Sequence, residues 1–348
     1  MTITVLIVED SPVVAEFLSA VLGSDPAIHV VGVVSDGEAA VEAARRLRPS
    51  VITMDIHMPR VDGFDATRRI METCPTPIVI VSGSVPAGAG HDDVRAVAAG
   101  AVATVARPSG IGHPDHAESA RRLVEMVKLM SEVKVIRRWP RVGAPKPDPA
   151  PLLHEGPRVA RVIAIGASTG GPPVLQSILS GLPAGLPMPV LIVQHMAPGF
   201  VESFAGWLEQ ASGFPVRMAA EGDLMLPGHA YVAPDGWHLG VRRGARLLLS
   251  DAAPENGMRP AVSFLFRSLV STMAPHVAAV LLTGMGRDGV DELKRLKQAG
   301  ALTIAQDQTS SVVFGMPGQA VEAGAVSHVL PPDAIADLLA GLSLPGHS

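Results

Sequence analysis

The chain is 348 residues long and 47% hydrophobic, with a formal net charge of −5 at pH 7. That leaves room for two buried cores and gives no encouragement for nucleic-acid binding, while a 3% aromatic content offers few platforms for stacking bases. A single cysteine, Cys74, rules out an internal disulfide and a zinc cluster and suits a reducing compartment. With no basic-then-apolar leader and no apolar run of bilayer length, the expectation is a cytoplasmic protein without direct membrane insertion.

In chain order, Thr2 to Val8 is a β-rich apolar run ending in the acids Glu9 and Asp10. After Ser11 and Pro12, apolar residues at Val13, Phe17, Ala20 and Val21 predict a helix that buries that face. Val51 to Met54 is a second strand ending at Asp55, Val79 to Val81 ends at Ser82, and Val102 to Ala106 ends at Arg107-Pro108. Strand ends carrying acids and a hydroxyl predict a doubly wound parallel sheet whose crevice suits a hard divalent cation such as Mg2+. Acids also gather at solvated strand ends without binding anything, and His57 reads as a loop residue and not as a metal ligand.

The spellings VEDSP at 8–12 and MDIHMPRVDG at 54–63 strongly resemble a response-regulator receiver domain. The resemblance implies a flavodoxin-like five-stranded parallel fold with Asp55 as phosphoacceptor. It also implies Glu9, Asp10 and Asp55 as Mg2+ ligands, Ser82 as switch hydroxyl, and a histidine kinase as phosphoryl donor. Receivers usually carry lysine where this chain has Arg107, and often an aromatic where it has Thr104. A guanidinium keeps the charge of an ammonium but not its compact shape, so the switch is expected to differ.

Glu118 to Ile136 carries a helical stripe at Leu123, Met126, Val127, Met130 and Val133 that closes a first domain over 1–137. Prolines at 140, 145, 147, 149, 151 and 157 then predict a semi-extended linker over 138–157 and a second domain over 158–348.

That second domain opens on Val162 to Ile165, a continuous apolar run suited to a strand buried on both faces. The turn Gly166-Ala167-Ser168-Thr169-Gly170-Gly171 follows, and Pro172-Pro173 suit a first helical turn. Strand, glycine turn and helix hold Ser168 clear of the sheet, as a nucleophile or as part of a phosphate cradle. The glycine spacing is wrong for a dinucleotide loop, and the next strand, Val190 to Val193, ends in Gln194-His195 where such a site needs an acid. A third strand, Val277 to Leu282, leads into Thr283-Gly284-Met285-Gly286-Arg287-Asp288-Gly289, and helical periodicity resumes from Val290 to Leu296. Ser168, His195 and Asp288 thus each follow a buried strand. Together they form a chemically complete nucleophile, base and orienting acid. Their order, Ser then His then Asp, differs from the α/β-hydrolase order and disfavours the lipase architecture.

The blocks IGASTGGP at 165–172, VQHMAPGF at 193–200, YVAPDGWHL at 231–239, LLTGMGRDG at 281–289 and AGALTIAQDQTSSVVFGMP at 299–317 resemble the catalytic domain of the chemotaxis protein-glutamate methylesterases, the CheB family. The resemblance implies a mostly parallel α/β/α esterase domain, making two doubly wound α/β domains in all. It implies a Ser168–His195–Asp288 triad with Thr169 and Met285 near the reacting carbonyl, and no cofactor for the esterase. The implied substrate is a γ-methyl ester of glutamate on the cytoplasmic helices of a methyl-accepting chemoreceptor, with deamidation of receptor glutamines as a second activity and phosphorylation as the control. The chain departs from the family at Met258, Ala261 and Ser263, where His, Ser and Asp are usual, and the expected consequence is altered substrate contact. The alternative is a phosphorylation-controlled adaptor with a diverged target outside chemotaxis.

Overall fold

A computed structural model describes residues 2–83, 99–131, 160–196 and 199–342. The chain divides into two compact units, each with its own parallel sheet. The linker expected over 138–157 lies outside the described residues.

The first unit is built on β1 (Ile3–Val8), β2 (Ile28–Val34), β3 (Val51–Met54), β4 (Ile78–Ser82) and β5 (Ala103–Ala106). These lie in the order β2-β1-β3-β4-β5, parallel throughout. The crevice of this doubly wound order opens at the carboxyl ends of β1 and β3, where the chain reverses its direction of winding. Helices α1 (Pro12–Gly23), α2 (Gly37–Leu47), α3 (Gly63–Thr73) and α4 (His116–Ser131) accompany the sheet. Asp36 and Asp62 cap α2 and α3, accepting backbone N–H bonds from Glu38 and Ala39 and from Asp65, which satisfies donors a helix start leaves unpaired. The predicted α1 exists but is rotated: it buries Ala15, Leu18, Val21 and Leu22, while Val13 is 77% exposed. Its apolar residues do not form one clean stripe, so packing against the sheet selects the buried face. In α4, Leu123, Val127 and Met130 are buried as the stripe predicts.

The second unit contains a seven-stranded sheet in the order β14-β13-β12-β6-β7-β9-β8, all parallel. Its strands are β6 (Val162–Ala167), β7 (Val190–Gln194), β8 (Val216–Met218), β9 (Ala230–Val232), β12 (Val277–Leu281), β13 (Leu302–Gln306) and β14 (His328–Leu330). A separate antiparallel hairpin joins β10 (His238–Arg242) to β11 (Arg246–Ser250). The remaining helices of the chain are α5 (Gly171–Gly181), α6 (Val201–Ser212), α7 (Val262–Thr272), α8 (Val290–Gln298), α9 (Met316–Glu322) and α10 (Pro332–Gly341); all but the first part of α6, which clusters with the first unit, belong to the second. Every residue of β6, β7 and β12 is buried, as expected of strands covered on both faces. Phe266, Leu265 and Leu269 of α7 join one core with Leu281, Val290 and Leu293. Burying one such side chain stabilises by roughly 1.5–3 kcal/mol. That core holds α7 and α8 against the ends of β6 and β12. Among the described residues, no helix is long and apolar enough to cross a membrane.

Candidate active site and acidic receiver pocket

In the sheet order β12-β6-β7, three neighbouring carboxyl ends lead to Asp288, Ser168 and His195, at the point where the chain turns from one side of β6 to the other. Ser168 lies in the turn from β6 to α5. Gly170 in that turn has φ +79°, and a Cβ there would sit 2.5 Å from Val312, so only glycine fits without strain. The Ser168 N–H donates to the Thr283 carbonyl at 3.0 Å, and the Ser168 carbonyl accepts from the Gly171 N–H at 2.8 Å.

Two buried glutamines brace this turn. Gln194, at the end of β7, donates from Nε2 to the carbonyls of Ser168 and His195 at 2.9 and 2.8 Å. Gln306, at the end of β13, accepts the Thr283 N–H at 2.8 Å, while Thr283 Oγ1 donates to the Thr169 carbonyl at 2.9 Å. Gly284 passes so near that a Cβ on it would lie 2.6 Å from the Ser168 Cβ. The backbone N–H groups of Thr169 and Met285 find no acceptor among the described residues.

The His195 N–H donates to the Ala167 carbonyl at 2.9 Å, which sets the imidazole's backbone beside the serine turn. Its ring presents Nε2 to Asp288 Oδ2 at 2.9 Å, with both side chains buried. Nδ1 is buried and has no hydrogen-bond partner. The structure therefore joins His195 to Asp288 and brings Ser168 to the adjacent strand end, but does not join Ser168 to His195 by a hydrogen bond. A carboxylate on Nε2 fixes the ring proton there and leaves the lone pair on Nδ1. Bonds of this kind commonly tighten only once substrate is seated.

Asp288 accepts four hydrogen bonds. Oδ2 takes His195 and the Val262 N–H (2.6 Å), and Oδ1 takes the Ser263 N–H (3.0 Å) and Ser263 Oγ (2.6 Å). Val262 and Ser263 open α7, so the carboxylate sits on the positive end of a helix dipole. Burial pushes its carboxyl up, but the hydrogen bonds from His195 and Ser263 outweigh this and hold it below the usual range. The buried His238 of β10 supports the same helix start. It accepts the Ala261 N–H on Nδ1 at 3.2 Å, and its Nε2 lies 3.1 Å from the Ala253 carbonyl.

The three departures from the family pattern at 256–263 occupy different environments. Met258 is exposed, but Ala261 is fully buried and Ser263 is buried against Asp288. Two of the three changes therefore fall behind the site, not on its rim. Sequence reasoning read Gln194 only as a missing ribose acid and passed over Gln306 and His238. Polar residues at the ends of buried strands were the available signal.

In the receiver, Glu9, Asp10 and Asp55 bring carboxylate oxygens within 4.8 Å of one another. Glu9 and Asp55 are buried and Asp10 is exposed. Asp55 Oδ1 accepts the Ile56 N–H at 2.9 Å. Arg107 donates to Glu9 Oε2 at 3.1 Å and lies 3.8 Å from Asp55 Oδ1. Burial and the neighbouring Asp55 charge push the Glu9 carboxyl up to about 7, against the downward pull of Arg107 and the Ser11 N–H. Ser82 ends β4, and its side chain lies outside the description.

The two units define a response regulator that carries an α/β effector. A CheB methylesterase family model matches residues 163–339 and a response regulator receiver domain model matches residues 5–113. A protein-glutamate methylesterase/protein-glutamine glutaminase of Geobacter metallireducens is 53% identical over 344 residues, covering 98% of this chain and 99% of that protein. One of Nitrosospira multiformis is 53% identical over 346 residues, covering 98% and 97%. The crystal structure of the Thermotoga maritima CheB methylesterase catalytic domain matches with a TM-score of 0.51 and 38% identity, covering 53% of this chain and 98% of that one. This chain belongs to the CheB methylesterase family and carries an amino-terminal receiver domain.

Proposed function

We propose that this chain is a phosphorylation-regulated protein-glutamate methylesterase in which Ser168, His195 and Asp288 carry the chemistry. The observation that carries this reading is the imidazole: Nε2 is tied to Asp288 and Nδ1 is buried and unpartnered, while the His195 N–H bonds the carbonyl of Ala167, the residue before Ser168. Ser168 Oγ attacks the γ-carbonyl of a methylated glutamate as His195 Nδ1 takes its proton. Asp288 stabilises the imidazolium through Nε2–H. The unpartnered Thr169 and Met285 amides stabilise the oxyanion. The imidazolium then protonates the leaving methoxide, giving methanol and an acyl-enzyme on Ser168. Water, deprotonated by Nδ1, attacks the acyl-enzyme and releases glutamate. With a glutamine side chain, the same steps release ammonia.

Substrate glutamates lie on the cytoplasmic helices of a methyl-accepting chemoreceptor, which sets the protein in the cytoplasm. Asp55 receives phosphate from a histidine kinase. The hard carboxylate oxygens of Glu9, Asp10 and Asp55 fit Mg2+. Bound there, the ion neutralises charge between two anionic reactants. Arg107 adds a fixed positive charge at the same place, and the Ser82 hydroxyl at the end of β4 serves as the switch group. Two compact domains at 1–137 and 158–348, joined by 138–157, suit this control. The hydrogen-bonded site gives the adaptor alternative no support. Methanol release from methylated receptor tests the reading: wild type should release it and Ser168→Ala should not, and equal release by both would overturn it.

A further inference from the structure

We propose that Ser263 is a positioning residue of this esterase, whose hydroxyl aims the Asp288 carboxylate at His195 and tempers its pull on the imidazolium. The inference rests on the triad reading above. Ser263 Oγ donates to Asp288 Oδ1 at 2.6 Å and accepts the N–H of Gly289, the next residue in the chain, at 2.9 Å. The Ser263 N–H adds a second bond to the same oxygen at 3.0 Å. One side chain therefore takes up Oδ1 and pins the backbone that carries the carboxylate. Oδ2 is left for His195 and the Val262 N–H. A carboxylate held at both oxygens cannot swing away from the imidazole.

The hydroxyl also has an electrostatic effect. Donating to Oδ1 draws negative charge from Oδ2, so the imidazolium is held less tightly than an undivided carboxylate would hold it. The other charged groups around this point are mixed. Ser263 lines a cleft with Glu255, Arg267, Arg287, Asp291 and Glu292. Arg267 pairs with Glu255 and lies 3.7 Å from Glu292, and Arg287 pairs with Asp291 at 2.6 Å. Two arginines face three acids there and leave a small negative excess, while the bond from Ser263 acts directly on Asp288 Oδ1.

The test compares Ser263→Ala and Ser263→Thr with wild type in the full chain. Methanol release is measured from pH 5 to 9 with kcat and KM resolved, together with a 15N titration of the His195 ring in the Ser168→Ala background. For Ser263→Ala we expect kcat to fall about 10- to 100-fold with KM within about twofold. The ascending pH limb and the ring titration should both move up by about 0.5 unit, because the imidazolium gains a stronger partner. Ser263→Thr keeps the hydroxyl and should stay within a few-fold of wild type. If Ser263→Ala does not fold, Ser263→Cys, close in shape with a weak S–H donor, should move in the same directions. Wild-type kcat and pH limb in the hydroxyl-free variant would overturn the proposal. So would a fall in kcat with the limb and ring titration unmoved, which is the mark of a purely structural role. Methanol release by Ser168→Ala would instead overturn the triad reading itself.

Discussion

Glu9 gives the receiver a pH signature whose sign follows from the structure. Its carboxyl ionises near 4.5 when unfolded and at about 7 when folded, through burial and the Asp55 charge, with Arg107 and the Ser11 N–H acting the other way. Between those values the folded state binds the extra proton, so stability falls as pH rises. The contribution of protonated Glu9 is fully present below 4.5 and gone above about 7. A difference of about 2.5 units, at 1.36 kcal/mol per unit, makes this ~3 kcal/mol. Glu9→Gln keeps the shape and neutrality of the protonated carboxyl; the Arg107 attraction is already contained in that difference, and solvent screening beside the exposed Asp10 trims it. The variant should therefore be more stable than wild type by ~2 kcal/mol at pH 8 and no more stable at pH 4.5. Urea unfolding in EDTA, read by pulsed hydrogen exchange in β1 and β3, follows the receiver separately from the second unit. Added Mg2+ should restore much of the wild-type stability at pH 8 and little of the variant's. Parallel stability curves for the two proteins from pH 4.5 to 8 would refute the reasoning, because Glu9 would then ionise normally in the fold.

Further outcomes concern the second unit and its control. Ser168→Ala should lose several orders of magnitude in methanol release with an unchanged melting transition; more than a few per cent residual activity would sink the nucleophile assignment. Asp288→Asn must set an amide NH2 against either the Val262 or the Ser263 N–H. It should destabilise the unit by ~1–3 kcal/mol and cut kcat by up to ~10⁴-fold; near-wild-type turnover would contradict the triad. Gly284→Ala forces a Cβ to 2.6 Å from both Ser168 Cβ and Met316 Sδ and should cost ~1–3 kcal/mol in thermal unfolding together with activity; a variant unchanged in both would mean the turn is not held there. Beryllofluoride with Mg2+ should raise methanol release by the full chain, and Arg107→Lys should enlarge that response; no response in either protein would argue against control through Asp55.

Much of this architecture is legible locally. Continuous apolar runs at Val162, Val190 and Val277 become β6, β7 and β12, because strands buried on both faces need no alternation. The residues after those runs are the ones that meet. The glycine turn at 166–171 likewise specifies its own geometry, since φ +79° at Gly170 excludes most side chains. Other features resist such reading. The buried face of α1 could not be chosen from residues that are apolar around most of the helix, and Val13 is exposed. The hairpin of β10 and β11 is set by pairing and by packing on α7. Gly244, at φ +82° in the turn, is its one local mark.

By itself the sequence determined the buried strands that carry the site residues, the two-unit α/β class, and the acids, serine and histidine that end those strands, because periodicity and turn chemistry act over a few residues. The tertiary structure alone decided which imidazole nitrogen faces Asp288, that Gln194 clamps the Ser168 and His195 carbonyls, and that Ser263 stands behind the carboxylate. These are contacts between strand ends and a helix start far apart in the chain. Their geometry is set by the strand order β12-β6-β7 and the core that seats α7, and a hydrogen bond forms only where those constraints bring donor and acceptor within about 3 Å.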